Sequence, residues 1–218
     1  MKDEYIDFLI EDTLRSLKEE QEKDLKEKEE KYKLRAIITA YGSFQRTVQY
    51  KKKLDCIETN ELEDKKIHFK NQAYELLRHG IMGLNNREVS QDSFDSWHYT
   101  LTMNFQNLEN NVLSIGQIQK WINITLKYWL VLEEFKKIND TNIRKYTQYL
   151  HIPVDKVVLT KIEELLQIFP IDEKPWSKWS NYEQYLTYQN DIRQKLDKSQ
   201  YHNSPIQWEF MVWNDSEK

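Results

Sequence analysis

Apolar residues recur at helical spacing through most of this chain, most regularly between Gln117 and about Lys137. There Ile118, Trp121, Ile122, Thr125, Leu126, Trp129 and Leu130 follow the i, i+3, i+4, i+7, i+8 rule, which predicts a helix with one face in the core. Upstream, Phe94, Trp97 and Leu101 share one face of a helix that Asp92-Ser93 would cap. Two or three helices are expected between Tyr32 and Arg78, with a turn near Tyr41-Gly-Ser-Phe44 and a long last helix ending at His79-Gly80. Gly80–Arg87 carries two Gly and two Asn, residues that turns accept, and reads as a loop. Downstream, a helix opens after Asp155, Ser180-Asn181 would cap another over 182–197, and Pro205 suits the first turn of the last.

The N-terminal pattern differs. Lys18–Lys31 mixes Glu and Lys at i,i+4 spacing around one apolar residue, Leu25, and predicts a solvated helix. Before it, Tyr5, Ile6, Phe8, Leu9, Leu14 and Leu17 make an amphipathic start suited to docking on the body or on another chain. The chain therefore divides into a charged arm, 1–35, and a helical domain, 36–218.

Composition supports an all-α reading: Gly and Pro number four each, while good helix formers dominate. Seven Trp and thirteen Tyr supply bulk for a real core. A single Cys56 forms no intramolecular disulfide, no signal-like segment opens the chain, and no apolar run approaches the roughly 18 residues that cross a bilayer. A cytoplasmic protein without a membrane partner is expected. The net charge of −4 argues against a nucleic-acid partner, yet much of the acidity lies in residues 1–30, and an enzyme with a small contact area on nucleic acid needs no high overall pI.

Candidate chemistry centres on the helix after Ser114. Lys120 and Lys127 lie about two turns apart along one stripe beside its apolar face. A nucleophilic amine must be uncharged when it attacks, and apolar surroundings favour that form. From the helix alone, both lysines read first as ordinary surface residues that lay their stems along apolar neighbours. Asp155 follows Pro153 at a helix start. There an aspartate caps the helix, and is also held ionised by backbone N–H groups, ready to stabilise a cationic sugar.

Gly116-Gln-Ile-Gln-Lys120, followed after one more helical segment by Ile152-Pro-Val-Asp155, resembles the helix-hairpin-helix DNA glycosylases. In that family a lysine after the hairpin is the nucleophile and the Asp of a Pro-Val-Asp segment assists it. The long Lys-to-Asp separation, Lys127, and the acid-x-x-x-Trp pattern Glu209-Phe-Met-Val-Trp213 are similar to the archaeal 8-oxoguanine glycosylase branch. The resemblance covers roughly residues 93–218. It implies a helix-hairpin-helix glycosylase-like fold, with Lys120 and Asp155 catalytic. Lys127, Glu209, Trp213 and Gln45 would contact the extruded base. Backbone N–H groups around Ser114, Gly116 and Gln117 would grip a phosphate. The implied partner is double-stranded DNA bearing a damaged or modified base, with no cofactor or metal. The family's Leu-Pro-Gly-x-Gly hairpin is here reduced to Leu113-Ser-Ile-Gly116, and Glu209 stands where Asp is usual. An oxidised purine is the family's default substrate, which gives a repair role. A hypermodified phage pyrimidine, which would give a defence role, is the other candidate.

Two rival readings need no glycosylase. A non-catalytic helical protein dimerising through residues 1–35 would explain the acidic charge and the charged helix. A helical ribonuclease would use Arg144 and His151. The aromatic stretch Trp176, Trp179, Tyr182, Tyr185 and Tyr188 is expected to be mostly core, with one or two residues free to stack on DNA.

Overall fold

The computed structural model describes residues 25–54, 59–108, 111–170, 174–197 and 204–215. These form α1 (Leu25–Gly42), α2 (Thr59–Met82), α3 (Gln91–Gln106), α4 (Ile115–Glu134), α5 (Lys156–Leu166), α6 (Tyr182–Asp197) and α7 (Pro205–Asp215). A one-turn helix, Tyr50–Lys53, and several 3₁₀ turns join them, and no strand occurs among the described residues. No described helix is long and apolar enough to cross a membrane.

The most apolar of the long helices, α4, is buried on nearly every side because two cores meet on it. The first core gathers Ile37 of α1, Leu77 of α2 and Phe94 of α3 around Trp121 and Trp129. Both indoles are fully buried and still satisfied. Trp121 Nε1 donates to the Ile37 carbonyl at 3.0 Å and Trp129 Nε1 to the Lys33 carbonyl at 3.2 Å, which fastens α1 to α4 at two points. The second core packs Ile115, Val154, Val158 and Ile162 against Tyr185, Tyr188 and Trp208. Helix α7 serves both: Ile206 and Phe210 face the first, Trp208 and Val212 the second.

Several boundaries move from their sequence positions. Helix α1 runs through residue 35 and buries Tyr32, Lys33, Ala36 and Ile37, so the charged helix joins the folded body rather than ending as an arm there. Residues 1–24, with the amphipathic start and much of the charge run, lie outside the described residues. Helix α3 is capped by Ser90, whose Oγ accepts the Ser93 N–H at 3.3 Å, and Asp92 falls inside its first turn. The expected caps at Asp155 and Asn181 are in place, accepting from Val158 and Gln184 at 3.0 and 3.1 Å.

Gly116 is helical and does not make the loop before α4. It sits in the first turn of α4, with no positive φ, where the 3₁₀ turn Trp176–Lys178 crosses the helix. A Cβ there would stand 1.7 Å from the Trp176 carbonyl oxygen, and backbone has nowhere to move. Gly116→Ala is therefore expected to cost about 3 kcal/mol through overpacking, a loss that urea denaturation would read. An unchanged midpoint would show that the crossing is looser than drawn.

Candidate active site

Where α4 passes between the two cores, four of the residues singled out by type and order come together as two ion pairs. Lys120 Nζ lies 3.0 Å from Asp155 Oδ2. Asp155 spends its other oxygen on capping α5, so the same carboxylate starts a helix and faces an amine. Lys120 is 5% exposed while the Asp155 side chain keeps 19%, which places the pair at the edge of the body rather than deep inside. The half-buried Trp176 ring covers the amine, its centroid 4.8 Å from Nζ.

The second pair is deeper. Lys127 and Glu209 are 4% and 3% exposed; Glu209 Oε1 accepts from Nζ at 2.9 Å. Oε2 approaches Nζ to 2.7 Å without the alignment of a hydrogen bond, so it retains acceptor capacity. Burial pushes the Glu209 carboxyl above its ordinary range against the charge and hydrogen bond of Lys127. The charges of Asp155 and Lys120 also reach Glu209, the first raising it further and the second opposing, so the two pairs act as one electrostatic cluster. Next to Glu209 in sequence, Trp208 Nε1 is buried without an acceptor among the described residues.

The segment that carries Asp155 is held by amide side chains that sequence reasoning passed over. Gln119 of α4 donates to the Val154 carbonyl at 2.9 Å and accepts the Val154 N–H at 3.2 Å. Gln189 of α6 pairs in the same two-way fashion with Ile152, at 3.0 Å each way, and Asn123 donates to the Ile152 carbonyl at 3.3 Å. All three are buried. Extended chain without a strand partner needs its polar groups satisfied, and these amides do it while fixing where Asp155 points. Gln119 and Asn123 share a helix face with Lys120 and Lys127 at i, i+3, i+4 spacing, the one signal available beforehand.

Behind the clamp, His151 and His98 lie fully buried with ring centroids 4.5 Å apart. His151 Nε2 meets Asp95 at 2.7 Å, and Arg193 grips the same carboxylate through two nitrogens at 3.0 and 3.1 Å. Tyr185 links the other side of His151, at 2.7 Å, to Asn123. Burial, with the Arg193 charge, lowers His151 to about 4 against its bond to Asp95. Burial raises Asp95, but His151 and Arg193 together carry it down to about 2. Both groups are thus less readily protonated folded than unfolded. Their stabilisation is present above the unfolded values and is lost as pH falls, first from about 6.5 to about 4 at His151, then toward about 2 at Asp95. Unfolding stability should decline by on the order of 3 kcal/mol between pH 7 and pH 4, and urea midpoints at pH 7, 5.5 and 4 measure it. A flat series would show that these imidazoles are not held neutral.

The remaining sequence candidates separate. Gln45 is exposed on the 3₁₀ turn Gln45–Thr47, which Gln117 ties to the start of α4 by donating to Thr47 at 2.9 and 3.0 Å. The Trp213 side chain lies outside the described residues. The anion cradle expected at Ser114, Gly116 and Gln117 is filled from within. Ser114 N–H donates to Gln117 Oε1, Gly116 N–H to the Trp179 carbonyl and Gln117 N–H to Ser114 Oγ, all within 3.1 Å. These hydrogen bonds make a capping box and a packing contact at the start of α4. Arg144 pairs with Glu134 on the surface while His151 is buried against Asp95, so the two share no partner. Trp179, Tyr182, Tyr185 and Tyr188 are core, and Trp176 alone of that stretch faces the candidate amine. No family model, no curated protein and no solved structure matches this chain.

Proposed function

We propose that this chain is a DNA glycosylase that extrudes a damaged or modified base from a duplex and releases it with Lys120 as nucleophile, on a helix-hairpin-helix glycosylase-like fold. The observation that carries this reading is the Lys120–Asp155 pair, 3.0 Å apart at the rim of an otherwise buried helix. An ordinary surface lysine needs neither that burial nor a carboxylate carried on a backbone segment that three amide side chains hold in place.

The chemistry follows from the two groups. Asp155 Oδ2 takes a proton from Lys120, leaving a free amine in a place where solvation no longer competes for its lone pair. The nitrogen bonds to the anomeric carbon as the glycosidic bond breaks, and that bond's electron pair departs with the base, which is then protonated. Asp155 hands that proton to the departing base and, ionised again, counters the positive charge that develops on the sugar. Loss of a proton from nitrogen and opening of the sugar ring give an imine, and removal of a hydrogen from the adjacent carbon then expels the 3′ phosphate, an AP-lyase outcome. Lys127 and Glu209 lie one step deeper and supply a cationic donor and an anionic acceptor for the edge of the extruded base. Trp176 offers an aromatic face beside the amine.

The test is borohydride trapping on duplexes bearing 8-oxoguanine, an abasic site or glucosylated hydroxymethylcytosine. A covalent protein–DNA adduct on any of them is expected, and the duplex that yields it names the substrate class and with it repair or phage defence. Absence of adduct and of base release on all three would overturn the reading in favour of a non-catalytic helical protein.

A further inference from the structure

We propose that a lysine-lined cleft beside the start of α4 is where this protein holds the phosphate backbone of its DNA strand. The identity of the polyanion rests on the glycosylase reading; the anion site itself does not. The cleft is an open groove of about 560 Å³. Lys52 and Lys53 of the one-turn helix Tyr50–Lys53 line it, together with Ser177 and Lys178 of the 3₁₀ turn and Ser180 just after that turn. Asn111 and the Gln117 side chain contribute further polar groups.

Its charge is unlike that of the rest of the molecule. The chain holds 36 acidic and 32 basic side chains, and its other surface lysines commonly sit beside a glutamate, as Lys65, Lys66 and Lys161 do. In the cleft no described lining residue is acidic, and Lys52, Lys53 and Lys178 are exposed with no carboxylate partner among the described residues. Three ammonium groups gathered on one groove without a carboxylate make a field that favours a bound polyanion. Lysine donates as a point charge without the planar fork of arginine, which suits contact with successive phosphates rather than reading of bases.

Position adds the second argument. Ser177 and Lys178 directly follow Trp176, whose ring covers Lys120. Ser114 Oγ donates to the Ser177 carbonyl at 2.8 Å, so cleft wall and α4 are fastened together a few residues from the amine. A strand lying in the groove is therefore held against the same wall that carries Trp176 over the amine. The backbone amides of Ser114, Gly116 and Gln117 are consumed internally, so phosphate contact at this end of α4 falls to the lysine side chains.

The experiment is fluorescence anisotropy of a fluorescein-labelled, undamaged 20-base-pair duplex titrated with the full chain across a salt series. Wild type, Lys120→Ala and the triple variant Lys52→Gln/Lys53→Gln/Lys178→Gln are compared, with melting curves to verify folding. All three lysines are exposed, so the triple variant should fold as wild type does. It is expected to lose about tenfold or more in affinity at 0.1 M salt, with the slope of log K against log salt shallower by about 0.9 for each lysine that meets a phosphate. Lys120→Ala should keep the wild-type slope. Wild-type affinity and slope in the triple variant would overturn the cleft while leaving an adduct-forming glycosylase intact. Loss of affinity in a protein that never forms a borohydride adduct would keep the cleft and overturn the enzyme. A wild type that binds no duplex would overturn both.

Discussion

Lys120→Ala is expected to abolish base release and borohydride trapping, a loss of about 10³-fold or more in rate, while the protein stays folded. The size follows from role: a covalent nucleophile cannot be replaced by its neighbours, and what survives is the binding and electrostatic part of catalysis. The folded state survives because Asp155 does not depend on the lysine. Its Oδ1 still accepts the Val158 N–H, its side chain keeps some solvent, and the helix dipole favours its charge. A stability cost of about 1 kcal/mol is expected from the lost pair. Single-turnover release on the trapped duplex, read beside a melting curve, separates the two effects. Equal loss of activity and fold would mean that the lysine is structural, and full activity would remove the mechanism proposed above.

Lys127→Met should have the reverse signature, a large cost in stability that a second change repairs. Glu209 is 3% exposed, and the lysine is the main group that opposes the push of burial on its carboxyl. Removing one partner of a buried pair leaves the other uncompensated, at about 3–5 kcal/mol. Lys127→Met with Glu209→Leu replaces both charges by apolar groups and should recover most of that loss, since an apolar pair of similar volume often matches a buried ion pair. A double-mutant cycle in urea at pH 7 gives the coupling directly. Little loss in the single variant would mean that water reaches the pair. If the pair also reads the extruded base, the double variant folds yet discriminates poorly among the three duplexes, a result that melting alone would never reveal.

Much of the fold could be read from the chain because its causes are local. The apolar period of α4, the caps at Asp155 and Asn181 and the scarcity of Gly and Pro all act within a turn or two of helix. The misplacements are equally physical. Ser90 displaced Asp92 as a cap because several capping residues stood in a row and the chain entry chose among them. Residue 35 looked like a boundary because charge composition changes there, yet an amphipathic helix continues through such a change when one face has a core to meet.

The site divides along the same line. Lys120, Lys127, Asp155 and Glu209 were recognisable by residue type and order, but order does not place an amine 3.0 Å from a carboxylate 35 positions away, or Lys127 against a carboxylate 82 positions on. Those meetings depend on how two cores close on α4. So do the amide clamp of Gln119, Asn123 and Gln189, the buried histidine pair, and the glycine that admits the Trp176 carbonyl. The sequence by itself determined an all-helical class, most of the helix starts and the chemical inventory of the candidate site, because propensity, periodicity and capping are short-range. Only the tertiary structure decided which of those groups are buried, which are paired and where unpaired lysines gather. Burial, pairing and field depend on neighbours that are distant in sequence and are supplied only when the helices pack.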